Sequence, residues 1–365
     1  MADLIIPFVP DRATWNSVCC ASKEVHLAGK KTTPPWPNKA FELGHAVLRF
    51  VAISPSGSQL VFCINNTGQP IIHVWDRWGK ETLLACHPTE MLCLECSLDG
   101  EYLASGSRDG SIRLWHAESF HVTSTKTHRE RATQTPKQAN IVLFGSHRYY
   151  CRSMTLSFSR TDSNLLASGG SDGGEINVWN IKEQACIHSI ESGGVDIQSL
   201  FFVGGDDIAC LAVADTGSVI RLWRPEGSSD FATETIVGES DRGGNALGAV
   251  FSPSGSFLAT MMFGSNTSTL VLYQLETMTK TQTVVMPDFS AACFAVSPDS
   301  KHLVVGDHTG RIRLLQTDDL SIRRDLDTRG GSSNIPVSSV ALDPTCRVLA
   351  FGRSDGRLEL RTLQM

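Results

Sequence analysis

From residue 39 onward, apolar and polar positions alternate with period two in short runs broken by Gly, Asp, Ser and Pro, the pattern of β-strands separated by tight turns. The clearest stretch is DGEYLASGSRDGSIRLW, residues 99–115. Asp99-Gly100 and Asp109-Gly110 are turn dipeptides, and the runs Tyr102 to Ser105 and Ile112 to Trp115 are predicted strands. In the second run Ile112 and Leu114 point to one face, and Arg113 and Trp115 to the other. Weaker copies follow: LLASGGSDGGEINVW (165–179), LAVADTGSVIRLW (211–223), HLVVGDHTGRIRLL (302–315) and VLAFGRSDGRLELR (348–361). Self-similarity on this scale sets the architecture before any single residue does.

The corresponding strands end at Trp75, Trp115, Trp179, Trp223, Tyr273, Leu315 and Arg361, a spacing that fits about seven units. A unit of about 40–45 residues is one four-stranded blade. So short a sheet cannot bury both faces alone, and closing a ring of sheets covers the faces and limits the edges. The last unit has three predicted strands, Val337 to Leu342, Val348 to Gly352 and Leu358 to Leu363; the fourth is expected from Ala40 to Leu43, near the start of the repeat. One interval is longer than the others, and its polar, basic extra material at about 120–145 is expected as an exposed loop between the second and third blades. The fold class expected is therefore all-β, a seven-bladed β-propeller over 39–365, with a short α-helical N-terminal appendage over 1–38. In that appendage Asp11 stands where a helix cap would, and Trp15, Val18, Cys19 and Ser22 fall on one helical face. Thr33-Pro34-Pro35-Trp36-Pro37 then reads as a stiff linker.

Bulk composition narrows the function. A net charge of −6 argues against a general nucleic-acid binder. No run of 18 apolar residues marks a membrane span, and no basic-then-apolar start marks a signal peptide. The 11 cysteines are scattered singly, often inside apolar strands (Cys63, Cys210, Cys293), as thiols of a reducing compartment would be. A cytoplasmic or nuclear residence is expected. Cys93 and Cys96 have a zinc or redox spacing, but residues three apart on a strand face opposite ways. No phosphate-binding glycine loop, GxSxG elbow or zinc helix occurs, so no cofactor and no catalysis are expected.

On these residues the chain resembles the WD-repeat β-propeller family over 39–365. The resemblance implies a structural hydrogen-bonded network, here His87, Ser105, Asp109 and Trp115, with Cys86 in place of the usual glycine before the histidine. It also implies a top face where partners bind, with Arg49, Arg108, Arg152, His308 and Arg353 at the matching positions. Guanidinium groups suit bidentate capture of carboxylate or phosphate, so an acidic or phosphorylated peptide is the natural ligand; the bland reading of each is a solvated loop charge. The stretch Leu4 to Glu24 resembles the middle of an F-box. That resemblance implies docking on a Skp-type adaptor of a cullin ubiquitin ligase through Ile5, Phe8, Val9, Trp15, Val18 and Cys19; the bland reading is a helix capping the propeller. The expected function is a non-catalytic protein-interaction scaffold, a substrate-recognition subunit of such a ligase, or alternatively a general WD-repeat scaffold.

Overall fold

The computed structural model describes residues 39–363 apart from 43–46, 66–69, 77–80, 86, 117–141, 147–153, 171–174, 192–196, 206–207, 216–219, 227–229, 238–244, 264–266, 276, 278 and 329–333; over 142–146 and 203–247 it describes the backbone alone. The period-two runs become 28 strands in seven antiparallel four-stranded sheets. Blade 1 is β2 (Val47–Ile53), β3 (Gln59–Asn65), β4 (Ile71–Asp76) and β5 (Glu81–Ala85). Blade 2 is β6 (Met91–Cys96), β7 (Tyr102–Ser107), β8 (Ser111–His116) and β9 (Val142–Ser146). Blade 3 is β10 (Met154–Phe158), β11 (Leu165–Gly170), β12 (Glu175–Asn180) and β13 (Ala185–Glu191). Blade 4 is β14 (Ile197–Gly205), β15 (Ile208–Asp215), β16 (Ile220–Glu226) and β17 (Asp230–Val237). Blade 5 is β18 (Asn245–Phe251), β19 (Phe257–Phe263), β20 (Thr267–Gln274) and β21 (Thr279–Pro287). Blade 6 is β22 (Ala291–Val296), β23 (His302–Asp307), β24 (Arg311–Gln316) and β25 (Ile322–Asp327). The remaining sheet is composite: β26 (Val337–Leu342), β27 (Val348–Arg353) and β28 (Arg357–Thr362) are completed by β1 (Lys39–Glu42), which pairs with β28. The first strands follow one another round a closed ring, β2, β6, β10, β14, β18, β22, β26 and back to β2.

The core lies between the sheets. Phe50, Ile72 and Leu84 of blade 1 pack on Met91, Leu94, Leu103 and Trp115 of blade 2. At the closing seam Leu48, Ile53 and Phe62 meet Ala341, Val348, Leu358 and Leu360, with Phe41 of β1 packed against them. A glycine recurs in the second strand to admit the next blade. A Cβ on Gly106 would collide with the Met154 sulfur, one on Gly169 would stand 2.9 Å from Ile197 Cγ2, and one on Gly306 would stand 2.7 Å from Val337 Cγ1. On Gly352 it would collide with Leu48, so the same device closes the ring. Buried serines add inter-blade hydrogen bonds: the hydroxyls of Ser157, Ser199 and Ser339 accept from the N–H groups of Phe202, Ala249 and Val51 respectively.

The architecture expected from the sequence is corrected in two respects. The count of seven like units becomes six blades of four consecutive strands each, and the remaining sheet joins the C-terminal three strands to β1, the closure that was expected. No helix occurs among the described residues, because every described apolar run is taken up by a ladder with period-two alternation or with both faces covered; the segment assigned to a helical appendage, 1–38, lies outside them. The insertion also moves. It was expected between blades 2 and 3, but β9 pairs with β8, so residues 117–141 interrupt blade 2 itself before its outer strand.

Candidate functional site

Because strands in a blade alternate in direction, the residues entering each first strand and the turn between second and third strands meet at one end of the ring. The turns between first and second strands lie at the other.

That second end is uniform and structural. The buried hydroxyls of Ser54, Ser97, Ser252 and Ser297 each accept from the N–H five residues on, at Gln59, Tyr102, Phe257 and His302, over 3.0, 2.8, 2.9 and 2.8 Å. Asp343 does the same for Val348 at 2.6 Å. Sequence reasoning missed this signature, although Ser-Pro or Asp-Pro before a Gly- or Ser-rich turn recurs at 54–55, 252–253, 297–298 and 343–344.

At the strand-start end, one backbone bond repeats under changing side chains. Arg108 N–H donates to Glu90 O (2.9 Å), His308 N–H to Ser290 O (3.0 Å) and Ser354 N–H to Pro336 O (3.0 Å). Every first strand but β10 carries a bulge just inside this end, in β2 between Leu48 and Phe50, where Arg49 is the extra residue. Arg49 reaches from blade 1 to blade 2, placing Nη2 2.6 Å from Glu90 Oε1, while Arg108 Nη1 lies 3.1 Å from Glu90 Oε2. One carboxylate is thus gripped by two guanidinium groups from adjacent blades, with side-chain exposures of 18% for Arg49 and 37% for Arg108. Glu90 completes this cluster without having been flagged by the sequence; a lone acid one residue before an apolar strand carries no signal until the turn after β7 brings Arg108 onto it.

The other positions assigned to this end separate. Arg353 is buried, donates to Thr328 O at 2.7 Å and lies 3.7 Å from Glu359 and 3.8 Å from Asp355, so it braces the composite sheet and offers no surface charge. His308 is half-buried; burial lowers its pKa and the neighbouring Asp307 opposes the shift. Arg152 lies outside the described residues, as do Ile5, Phe8, Val9, Trp15, Val18 and Cys19.

The network expected in blade 2 forms a relay. The Ser111 hydroxyl donates to Asp109 Oδ1 (2.6 Å), so it accepts from His87 Nδ1 (2.8 Å). His87 Nε2 then accepts from the Ser105 hydroxyl (2.7 Å). Burial is the main cause that pushes the His87 pKa down to about 4, helped by Arg113 and opposed by Asp109. At Asp109 burial acts upward, but the hydroxyl and amide of Ser111 outweigh it and hold the carboxyl below its usual range. The fully buried Trp115 does not join: its Nε1 has no hydrogen-bond partner. In blade 3 the same pair is made, Trp179 Nε1 donating to Ser168 at 2.8 Å.

Among the described residues no cluster of three His, Cys, Asp or Glu side chains is placed to hold a metal ion, and no helix is long and apolar enough to cross a membrane. Residues 80–116, the outer strand of blade 1 and three strands of blade 2, match the family described as WD domain, G-beta repeat. The chain is similar to two Arabidopsis thaliana proteins named Cell division cycle 20.6 and 20.5, cofactor of APC complex. It is 29% identical to each, over 38% and 40% of this chain and 29% of each relative. It is also 26% identical to the Mus musculus Periodic tryptophan protein 2 homolog, over 59% of this chain and 25% of that protein. The matched stretch is less than a third of the length of each of these relatives. The local match falls on the junction of two neighbouring blades in a ring whose sheet order is that of a propeller.

Proposed function

We propose that this chain is a non-catalytic platform for binding other proteins, and that the strand-start end of its ring takes an acidic or phosphorylated segment of a partner. The observation that carries this reading is the convergence of Arg49 and Arg108 on the Glu90 carboxylate. The pair already holds an anion in the geometry a ligand carboxylate or phosphate would adopt. Partly exposed ion pairs contribute only about 0.2–1 kcal/mol each, so an incoming dianion displaces Glu90 at small cost. Arg49→Ala with Arg108→Ala should abolish retention of phosphorylated peptides on a peptide array while leaving the circular dichroism spectrum unchanged. Equal retention by the double variant would refute the reading.

The finer reading is a target-recognition subunit of a cullin-type ubiquitin ligase, resident in the cytoplasm or nucleus. Residues 1–38 would dock on a Skp-type adaptor through Ile5, Phe8, Val9, Trp15, Val18 and Cys19. Its supports are the F-box resemblance and the names of two relatives as cofactors of a complex. The buried thiols Cys96, Cys293 and Cys346 suit a reducing compartment. Co-purification of the adaptor, lost on deleting 1–38 or on Trp15→Ala with Val18→Ala, is the expected result. No adaptor in the full-length pull-down would leave only the general scaffold.

A further inference from the structure

Every sheet ends in an outer strand whose far backbone edge is unpaired among the described residues: β1, β5, β9, β13, β17, β21 and β25. Such edges invite pairing with another chain unless they are short or charged. Six are guarded in these ways. β1, β5 and β9 have four, five and five residues. β25 carries Arg323, Arg324, Asp325 and Asp327; β17 carries Asp230 and Glu234; β13, two residues shorter than β21, carries Glu191. β21 differs. It is nine residues long, its sole charge is Lys280, and Thr281 to Pro287 contains none.

One face of β21 is occupied by blade 6. Met286 is buried among Phe294 and Leu303 with Val284 packed beside it, and the Gln282 side-chain amide donates to Asp318 O. On the other face Thr281, Thr283, Val285 and Pro287 are exposed, and Val285, at 54%, is the most exposed large apolar side chain among the described residues. Asp288, also exposed, follows directly in a turn. Two such strands laid antiparallel with Val284 opposite itself bring Thr283 against Val285 and Gln282 against Met286, and set Lys280 beside the turn residue Asp288 that ends the other strand, each pair occurring twice. The single cation and the acid that bounds the strand thus meet across the two-fold axis, whereas a register shifted either way separates them.

We propose that β21 is the surface by which two copies of this chain associate, edge to edge, into a continuous antiparallel sheet. This does not depend on the peptide-binding reading, since β21 lies at the rim and the arginine pair at one end of the ring. One strand pair covers less than the roughly 1,600 Å² of a standard interface, so the dimer is weak and reversible. Sedimentation velocity on the full chain should show monomer near 1 µM and predominantly dimer near about 200 µM. Lys280→Glu sets two acids opposite each other twice and should raise the dissociation constant at least about tenfold, as should Val285→Lys. Ile187→Lys, on the guarded edge of β13, should leave it unchanged. All three positions are exposed, so folding is not at stake. A monomer throughout that range, or a dimer indifferent to both β21 variants, would overturn the proposal.

Discussion

Gly306→Ala tests the rule by which neighbouring blades fit together. Gly306 lies in β23 without the positive φ that would itself require glycine. Taken alone, alanine there should stabilise by about 0.5–1 kcal/mol, because glycine in a strand interior loses more backbone freedom on folding. The next blade reverses the sign. The new Cβ would stand 2.8 Å from Val337 Cβ, 2.7 Å from its Cγ1 and 2.9 Å from Cys293 Sγ. A Cβ is fixed by its backbone, so no rotamer change at Val337 relieves the first contact; β26 itself must retreat by about 1 Å, or the core must distort, at a typical overpacking cost of about 1–3 kcal/mol. The net expectation is a loss of about 1–2 kcal/mol. Gly352→Ala meets Leu48 at Cδ2 and, at 3.0 Å, Cγ, and Ser338 at Oγ, 3.3 Å, all side-chain atoms beyond Cβ that can rotate away, so its loss should be smaller. Gly248→Ala meets nothing closer than 3.4 Å and should be neutral or slightly stabilising. Urea unfolding followed by tryptophan fluorescence, compared at constant m-value, ranks the three. Val337→Ala should rescue Gly306→Ala only in part, since the Cβ clash survives. Gly306→Ala unfolding at the same urea concentration as Gly248→Ala would refute the seating of each blade on its neighbour's glycine.

Other outcomes follow from the same contacts. Trp115→Ala removes a fully buried ring from between blades 1 and 2 and should cost about 3–5 kcal/mol in the same assay. His87 supplies a pH dependence: its folded pKa of about 4 lies below its unfolded value of 6.5. The native state therefore resists a proton that the unfolded chain accepts. Stability from this source is complete above pH 6.5 and falls by about 2 kcal/mol from pH 7 to 5. The slope between these pH values should flatten in His87→Asn, even though that variant is less stable at pH 7; an unchanged slope would exclude His87 as the source. Asp109, whose folded pKa is lowered, acts only at lower pH, as the unfolded carboxylate begins to take up protons. Glu90→Gln removes the internal anion from the arginine pair and should tighten binding of a phosphorylated peptide, read as a lower Kd by fluorescence anisotropy.

The repeat was legible because turn chemistry and alternation are local. Asp109-Gly110 and the run Ile112 to Trp115 needed nothing beyond their own sequence, and Gly110 does adopt φ 83°. The closing strand was placed to within one residue, because the last unit shows only three strands and 39–42 is a short run holding Ala40 and Phe41 just ahead of blade 1. The insertion was misplaced for a related reason. Nothing in VLFGS, residues 142–146, states which sheet it joins; only its pairing with β8 decides that. Arg353 was taken as a surface charge because its neighbours Ser354, Asp355 and Gly356 form a turn. Its surroundings, the Thr328 carbonyl and the Glu359 carboxylate, are contributed by other segments of the chain. Glu90 was invisible for the same reason: it acquires its role through partners 41 residues before and 18 after it.

A chain of internal copies allows one further distinction by comparing its own blades. Where blades share a backbone arrangement, a side chain repeated in most of them serves the arrangement, and one that changes is released from it. At the end holding the first turns, the acceptor is Ser54, Ser97, Ser252, Ser297 or Asp343, always an oxygen in the same hydrogen bond. At the strand-start end, the bond from the N–H of the turn residue to the carbonyl ahead of the first strand is equally constant, yet its donors are Arg108, His308 and Ser354 and its acceptors Glu90, Ser290 and Pro336. The bulge residues vary likewise, Arg49 in β2 against Leu92 in β6, Ala292 in β22 and Ser338 in β26. Folding therefore constrains the backbone of this end and leaves several of its side chains open, although Leu92 is held in the core between blades 2 and 3. Of those open positions, blades 1 and 2 alone among these sets bring two arginines onto one acid. A partner that distinguishes one sector of the ring from another has to read such differences, which is why the Arg49–Glu90–Arg108 cluster, and not the repeated serine turns, is where substitutions should change binding while leaving the fold intact.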